Sequence, residues 1–257
     1  SATLANAETT AELPAVAPIL TGAVNLDFAE TAAGKTAGTM GVELDFDAGD
    51  IATVDLDFKA TDGSAITLDT WTVGTSVAGL GLAFGDNNNL MPETGANASA
   101  DGTLAKPAMT ESLALSFGNA SVAVGLTDWT TDVSEVSNLQ GAYTVDAGIV
   151  DVTASADYNR TTENTVLGAG VAGLDLGVAS LGGAMTYDMD AEMFGFETVA
   201  KTGSIVSYLN GDQDDLLQNI GAEYTYTMSA GVEFSAGTNY NLDSEDLTPT
   251  VGLSFNF

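Results

Sequence analysis

Five carboxylates fall at alternate positions in three short stretches, VNLDF at residues 24–28, VELDF at 42–46 and VDLDF at 54–58. Asp27, Glu43, Asp45, Asp55 and Asp57 each stand between two apolar residues, so an extended backbone sends the acids to one face and Val, Leu and Phe to the other. Lys59 continues the acidic face by one step. Such a row gathers cations. It has no imidazole or thiol to work with, because the chain contains no His and no Cys. Catalytic triads, thiolate nucleophiles and His or Cys metal sites are therefore excluded, and the expectation is a protein that is not an enzyme.

The whole chain shares the bias: 36 Asp and Glu against 5 Lys and Arg give a formal net charge of −31. That field repels nucleic acid and favours cations. With 45% apolar residues and aromatics along the whole length, the charge sits on a chain that folds. Residues 1–18, SATLANAETTAELPAVAP, lack the charged and apolar regions of a signal peptide and read as a polar N-terminal extension, so that if the protein is exported its signal has already gone. Residues 167–185 approach the length of a membrane helix but contain Asp175 and six glycines. Glycine is a poor helix former and an intramembrane carboxylate is costly, so two strands meeting at Ala172-Gly173 are expected instead.

Two architectures use strands with one acidic and one apolar face. In a soluble sandwich the apolar face is the core; in a membrane barrel it meets lipid and the acids line the lumen. The end of the chain favours the barrel. In TPTVGLSFNF, Val251, Leu253, Phe255 and Phe257 alternate with Thr250, Gly252, Ser254 and Asn256, and this terminal aromatic strand resembles the C-terminal signal of bacterial outer-membrane barrels. The same alternation places sixteen strands near residues 19–29, 37–47, 51–61, 65–75, 78–86, 110–118, 121–129, 137–147, 149–159, 164–172, 174–187, 193–201, 204–210, 218–228, 231–241 and 247–257. Most have about the 9 to 11 residues that cross the hydrocarbon layer at a tilt.

Connections after even-numbered strands are short, such as Ala48-Gly49-Asp50, Gly118-Asn119, Ala147-Gly148 and Ser229-Ala230. Those after odd-numbered strands are longer and more polar, such as TTDVSEVS, NGDQDDLL and NLDSEDL. Short turns on one rim and longer loops on the other are the organisation of an outer-membrane barrel. Phe28, Phe58, Phe84, Tyr158 and Tyr240 fall at loop-side strand ends, and Phe46, Phe117, Phe255 and Phe257 at turn-side ends, like two interfacial girdles. Register is strongly specified. A one-residue slip of the first three strands would turn five acids toward lipid, at about 2 kcal/mol each or about 10 kcal/mol together.

One connection, residues 86–110, follows the fifth strand and far exceeds the rest. Sixteen strands, long loops on one rim, a terminal Phe and the longest loop after strand five together resemble the general diffusion porins of Gram-negative outer membranes, over residues 19–257. The resemblance implies an all-β, transmembrane antiparallel up-and-down barrel that passes small hydrophilic solutes and ions by diffusion. It implies a homotrimer set among outer-membrane lipid and lipopolysaccharide, with no cofactor. It also implies that residues 87–109 fold inward as a constriction loop, with Glu93, Asp101 and Lys106 at the pore. Pro92-Glu93-Thr94-Gly95 looks like the Pro-Glu-aromatic-Gly turn of that loop in enterobacterial porins, with Thr94 a departure. A second departure is larger, since those porins face the loop with clustered arginines. Here the one arginine, Arg160, falls in an outer loop, and of the lysines only Lys59 and Lys106 are placed to reach the pore. An acidic lumen without an opposing cationic wall concentrates cations. Asp27, Glu43, Asp45, Asp55 and Asp57 are the expected wall charges, extended by Glu223 and Glu233.

Three acidic loop clusters (Asp188, Asp190, Glu192; Asp212, Asp214, Asp215; Asp243, Glu245, Asp246) could weakly bind Ca²⁺ or Mg²⁺ through oxygen ligands, but none matches an EF-hand loop and solvated loop charge is the better reading. The facing of Trp71 and Asp69 is left open by a slip of the alternation near residues 70–73, where a bulge would fit. Trp129 reads as a membrane anchor or a lumen aromatic, and the small-residue faces between residues 165 and 185 as a place for a neighbouring barrel to pack. Two other readings remain open: a structural or adhesive outer-membrane barrel with a filled lumen, and a secreted acidic β-protein stabilised by calcium.

Overall fold

The computed structural model describes residues 19–30, 36–48, 51–62, 64–86, 89–92, 94, 104, 109, 111–128, 132–229 and 231–257. Sixteen strands run through them. They are β1 (Ile19–Glu30), β2 (Thr36–Asp47), β3 (Thr53–Thr61), β4 (Thr67–Val77), β5 (Leu80–Gly85), β6 (Ser112–Phe117), β7 (Ala120–Asp128) and β8 (Asp132–Asp146), then β9 (Asp151–Asn159), β10 (Asn164–Asp175), β11 (Ser180–Asp188), β12 (Met193–Thr202), β13 (Ile205–Asp212), β14 (Asn219–Ser229), β15 (Val232–Asn241) and β16 (Asp246–Asn256). Each pairs antiparallel with its sequence neighbours, and β1 pairs β16, so the sheet closes into a barrel with no free edge. The expected architecture and strand number are both present.

Register carries the alternation of single strands around the wall. Val24 pairs Phe255 and Val42, Leu26 pairs Leu253 and Met40, and Val42, Leu44 and Phe46 pair Phe58, Leu56 and Val54. These residues form one continuous apolar face. Farther round, Leu139, Tyr158, Leu167 and Tyr187 continue it through the pairs Leu139–Tyr158, Tyr158–Thr165 and Leu167–Tyr187, and all four stand exposed. In a closed sheet with this face outward, every opposite side chain points into the barrel. The seam is held at the last residue: Gly22 N–H donates to the Phe257 carbonyl at 3.1 Å, and Phe257 N–H donates to the Gly22 carbonyl at 2.9 Å.

The slip near residue 70 is a bulge. Phe58 pairs Leu68 while Asp57 pairs Thr70, leaving Asp69 as the extra residue. It returns Trp71 to the outer face opposite Leu56, where its ring meets Phe84 edge-on at 5.3 Å. A second bulge corrects the expected strand break at Ala172-Gly173. The β10–β11 register shifts between Val171 and Leu174, β10 continues to Asp175, and Gly173 supplies the left-handed φ of +76° that made the segment look like a turn. Residues 167–185 are thus two strands and the turn between them.

Two further expectations change. Most of TTDVSEVS belongs to β8, which begins at Asp132. The loops 160–163, 189–192 and 242–245 are no longer than the turns 147–150 and 176–179, so the connection between β5 and β6 carries most of the contrast between the rims. Those two strands are also the shortest, six residues each.

Candidate functional site

The inner face divides into two walls. On β1–β3 the expected acids share the lumen side. Glu43 stands opposite Asp57 and Asp45 opposite Asp55, while Asp27 faces Thr39 and Gly252. Directly opposed side chains of an antiparallel pair have Cβ atoms about 4.5–5.5 Å apart, and like charges there repel. Asp27, Glu43 and Asp55 are exposed and Asp45 and Asp57 half-buried, so this wall is open to water. Gly252 leaves the room that Asp27 uses, since a Cβ there would lie 2.7 Å from Asp27 Oδ1. The Thr70 hydroxyl donates to Asp57 Oδ2 at 2.6 Å. Lys59 is exposed on the same face near the loop-side end of β3.

On β8–β12 the inner face is covered. Asp157 and Glu197 are each 0% exposed and Gln140 is 1%. Their cover is the start of the long connection. Leu90 N–H donates to Gln140 Oε1 at 2.7 Å and Thr94 N–H donates to Glu197 Oε1 at 3.1 Å. The Ser155 hydroxyl reaches Met91 Sδ at 3.4 Å. Pro92 lies over β10, where a Cβ on Gly168 would meet its Cδ at 2.6 Å and one on Gly170 its Cβ at 2.6 Å. Two glycines spaced to point inward thus make a flat seat that any side chain would fill. Met91, Leu104 and Met109 are buried, and a Cβ on Gly125 of β7 would lie 3.0 Å from Met109 Sδ.

Beneath and beside this cover the wall is knit by amides. Asn138 Nδ2 donates to both Asp157 oxygens at 3.2 and 3.1 Å, which neutralises part of the cost of burying that carboxylate. Asn219 Nδ2 donates to Asn210 Oδ1 at 2.9 Å, and Asn241 Nδ2 to Asn219 Oδ1 at 3.0 Å. Tyr208 fills the space above Gly221, packed against Val199.

The five wall acids and Lys59 therefore lie where the alternation put them, and Glu223 and Glu233 are on the inner face too, opposite Gly237 and Ser254. Glu93, Asp101, Lys106, Trp129 and the extension 1–18 lie outside the described residues. Lys201 is a correction. It follows Glu197 and Val199 on the inner face of β12, so a lysine beyond Lys59 and Lys106 faces the lumen. The sequence reading also passed over Gln140, Asp157, Glu197 and Asn210. The period of two places each of them on the face opposite its outward neighbours Leu139, Tyr158, Phe196 and Leu209.

The acidic loops hold their own backbone. Asp188 Oδ1 accepts the amides of Asp190 and Ala191, and Asp212 Oδ1 those of Asp214 and Asp215. Among the described residues, no group of three or more Asp or Glu is arranged to hold a metal ion. Across the rim, the Asp243 charge, followed by a small desolvation and the charges of Asp212 and Asp214, raises the Asp215 carboxyl above its ordinary value. At the base of the long connection, burial and then Glu111 raise Asp86.

No family model matches the chain, and no curated protein matches it. Solved structures do. A triple mutant of the Rh. blastica porin matches with a TM-score of 0.66 at 14% identity, over 93% of this chain and 100% of that one. Salmonella typhi OmpF in complex with daunomycin follows at 0.60 and 12%, over 93% and 97%. An anion-selective porin from Comamonas acidovorans gives 0.54 and 15%, over 93% and 99%. At such identities the likeness is one of fold.

Proposed function

We propose, on the premise that this chain has the sixteen-strand fold of porins, that it forms a cation-selective, water-filled channel for passive diffusion of small hydrophilic solutes and ions across a Gram-negative outer membrane. The observation that carries the reading is the pairing of an exposed carboxylate wall on β1–β3 with a loop-covered wall on β8–β12 inside a closed barrel. Barrels of this strand number leave an aqueous lumen. Fold alone does not set the sign of selectivity, since an anion-selective porin shares it. The sign follows from this chain's own wall, where carboxylates attract cations and repel anions.

In this reading residues 19–257 are the barrel, 1–18 an extension, and 87–109 the element that narrows the pore, with Glu93, Asp101 and Lys106 adding charge there. The Pro92 seat and the amide bonds of Leu90 and Thr94 support that placement. Outward-facing Leu, Val, Phe and Tyr side chains meet lipid, and the loop rim meets lipopolysaccharide, where its acids would hold Ca²⁺ or Mg²⁺ weakly. The assembly is a homotrimer. A concavity of about 460 Å³ outside β10–β14, floored by Gly183, Ala200 and Ser207, supports a contact between copies on that side. Cross-linking through cysteines placed at its rim tests the placement.

Function is tested by the reversal potential of the purified protein in a planar bilayer across a tenfold KCl gradient. Stepwise conductance with a cation-selective potential that weakens at low pH is the expected result. Conductance with no selectivity would remove the role of the wall acids. A folded, inserted protein that never conducts would instead be a closed structural barrel.

A further inference from the structure

Lys201 stands at the turn-side end of β12 in a cleft of about 310 Å³ between Thr94 of the long connection and the inner wall of β10–β13. Its direct neighbours across the sheet are Ser180 and Val206. Val199, Gly182, Val171, Ala172 and Leu181 make the rest of the lining mainly apolar. The same row carries Asp175, opposite Ser180, and Glu223, opposite Val206. Each is two strands from Lys201, about 10 Å at the usual strand spacing, too far for a direct ion pair.

A cleft of this volume with apolar walls and a few convergent polar groups is the common form of a small-ligand site. We propose that it is a subsite for small monocarboxylic acids with a short apolar tail. The Lys201 ammonium and the Ser180 hydroxyl receive the carboxylate, and Val199 and Val206 take the tail. One cation, flanked at a distance by two acids, suits a single negative charge and disfavours a dicarboxylate. The surrounding acidic lumen keeps the binding weak, which a conducting pathway requires so that solutes leave as readily as they enter. The inference rests on the channel reading, and it names one solute class that the channel recognises against its overall charge preference.

The test uses the full chain and hexanoate as the probe, with neutral hexanamide as its isostere. Hexanoate is expected to interrupt single-channel current in a concentration-dependent way that hexanamide does not reproduce. Lys201→Gln should raise the half-blocking concentration about tenfold, equivalent to about 1.4 kcal/mol, and Lys201→Arg should largely retain the block. Equal block of Lys201→Gln and the parent, or equal block by hexanamide, would overturn the subsite. Calorimetric titration of hexanoate into the folded, detergent-solubilised protein separates the two claims. Lys201-dependent binding in a protein that does not conduct would uphold the subsite and reject the channel. Conduction with no Lys201-dependent heat would do the reverse.

Discussion

The two inner walls are built from the same residue types and use them oppositely. On β1–β3, carboxylates face carboxylates across the ladder and remain open to water. On β8–β12, Asp157 is buried but bonded twice by Asn138, and Glu197 is buried but receives the Thr94 amide. A buried carboxylate without partners is expensive, so the covered wall must supply donors, and those donors fix the loop. A carboxylate open to water stays solvated and needs no such protein donor. One wall uses its polarity to hold a loop segment, and the other leaves its charges open to water.

The sharpest way to break this division is to unseat the loop. Gly170→Leu places a side chain where Pro92 lies, with even the Cβ at 2.6 Å from it. Overpacking costs about 1–3 kcal/mol, and the loop can relieve it by leaving the wall. The expected outcome is a barrel that still folds, with higher single-channel conductance and Leu90 and Thr94 amides that exchange faster with solvent. Unchanged conductance with lost stability would show that the wall yields and the loop does not.

A smaller perturbation of the same wall is Glu197→Gln. It keeps an oxygen for the Thr94 amide but removes the charge that strengthens the bond. A neutral acceptor is weaker by about 1 kcal/mol, so loop fluctuation and current noise should rise while mean conductance changes little. If noise and exchange both match the parent, the Glu197 charge does not hold the loop.

The difference between the walls also explains which parts were legible in the sequence. Asp27, Glu43, Asp45, Asp55 and Asp57 alternate with large apolar residues, and a period of two is enough to assign them a face and to place most of the sixteen strands. Gln140 and Glu197 gain their roles from a loop segment distant in sequence, 50 and 103 residues away at the two bonds, and no local period encodes that. The misplaced break at Ala172-Gly173 has a local cause. A glycine with positive φ serves a bulge as well as a turn, and only pairing with β11 separates the two. Lys201 stands four residues after Glu197, so the period of two that turns Glu197 inward turns Lys201 inward as well.

On the open wall, Asp45→Asn removes one half of the Asp45–Asp55 opposition. Relief of like charge across a pair is worth about 0.2–1 kcal/mol, so stability against thermal unfolding should rise slightly at neutral pH. The reversal potential in a KCl gradient should move toward zero at the same time. A gain in stability with undiminished selectivity would mean that the acids of β2 and β3 repel one another without steering ions.

The smallest effect lies on neither wall but tests the same rule at the rim, where Asp212, Asp214 and Asp243 crowd around the exposed Asp215. The Asp243 charge raises the Asp215 carboxyl, so the folded protein holds a proton there at pH values where the unfolded chain has released it. Stability from this group is therefore highest in acid and falls as pH rises from near the ordinary value through the raised one. Asp215→Asn should be marginally more stable than the parent at pH 7, and that advantage should disappear below the ordinary Asp range, where the parent carries no charge at this position in either state. Thermal unfolding of both proteins at pH 3 and pH 7 makes the comparison. An advantage of equal size at both pH values would assign it to the amide side chain and remove repulsion between the β13–β14 and β15–β16 loops as its cause.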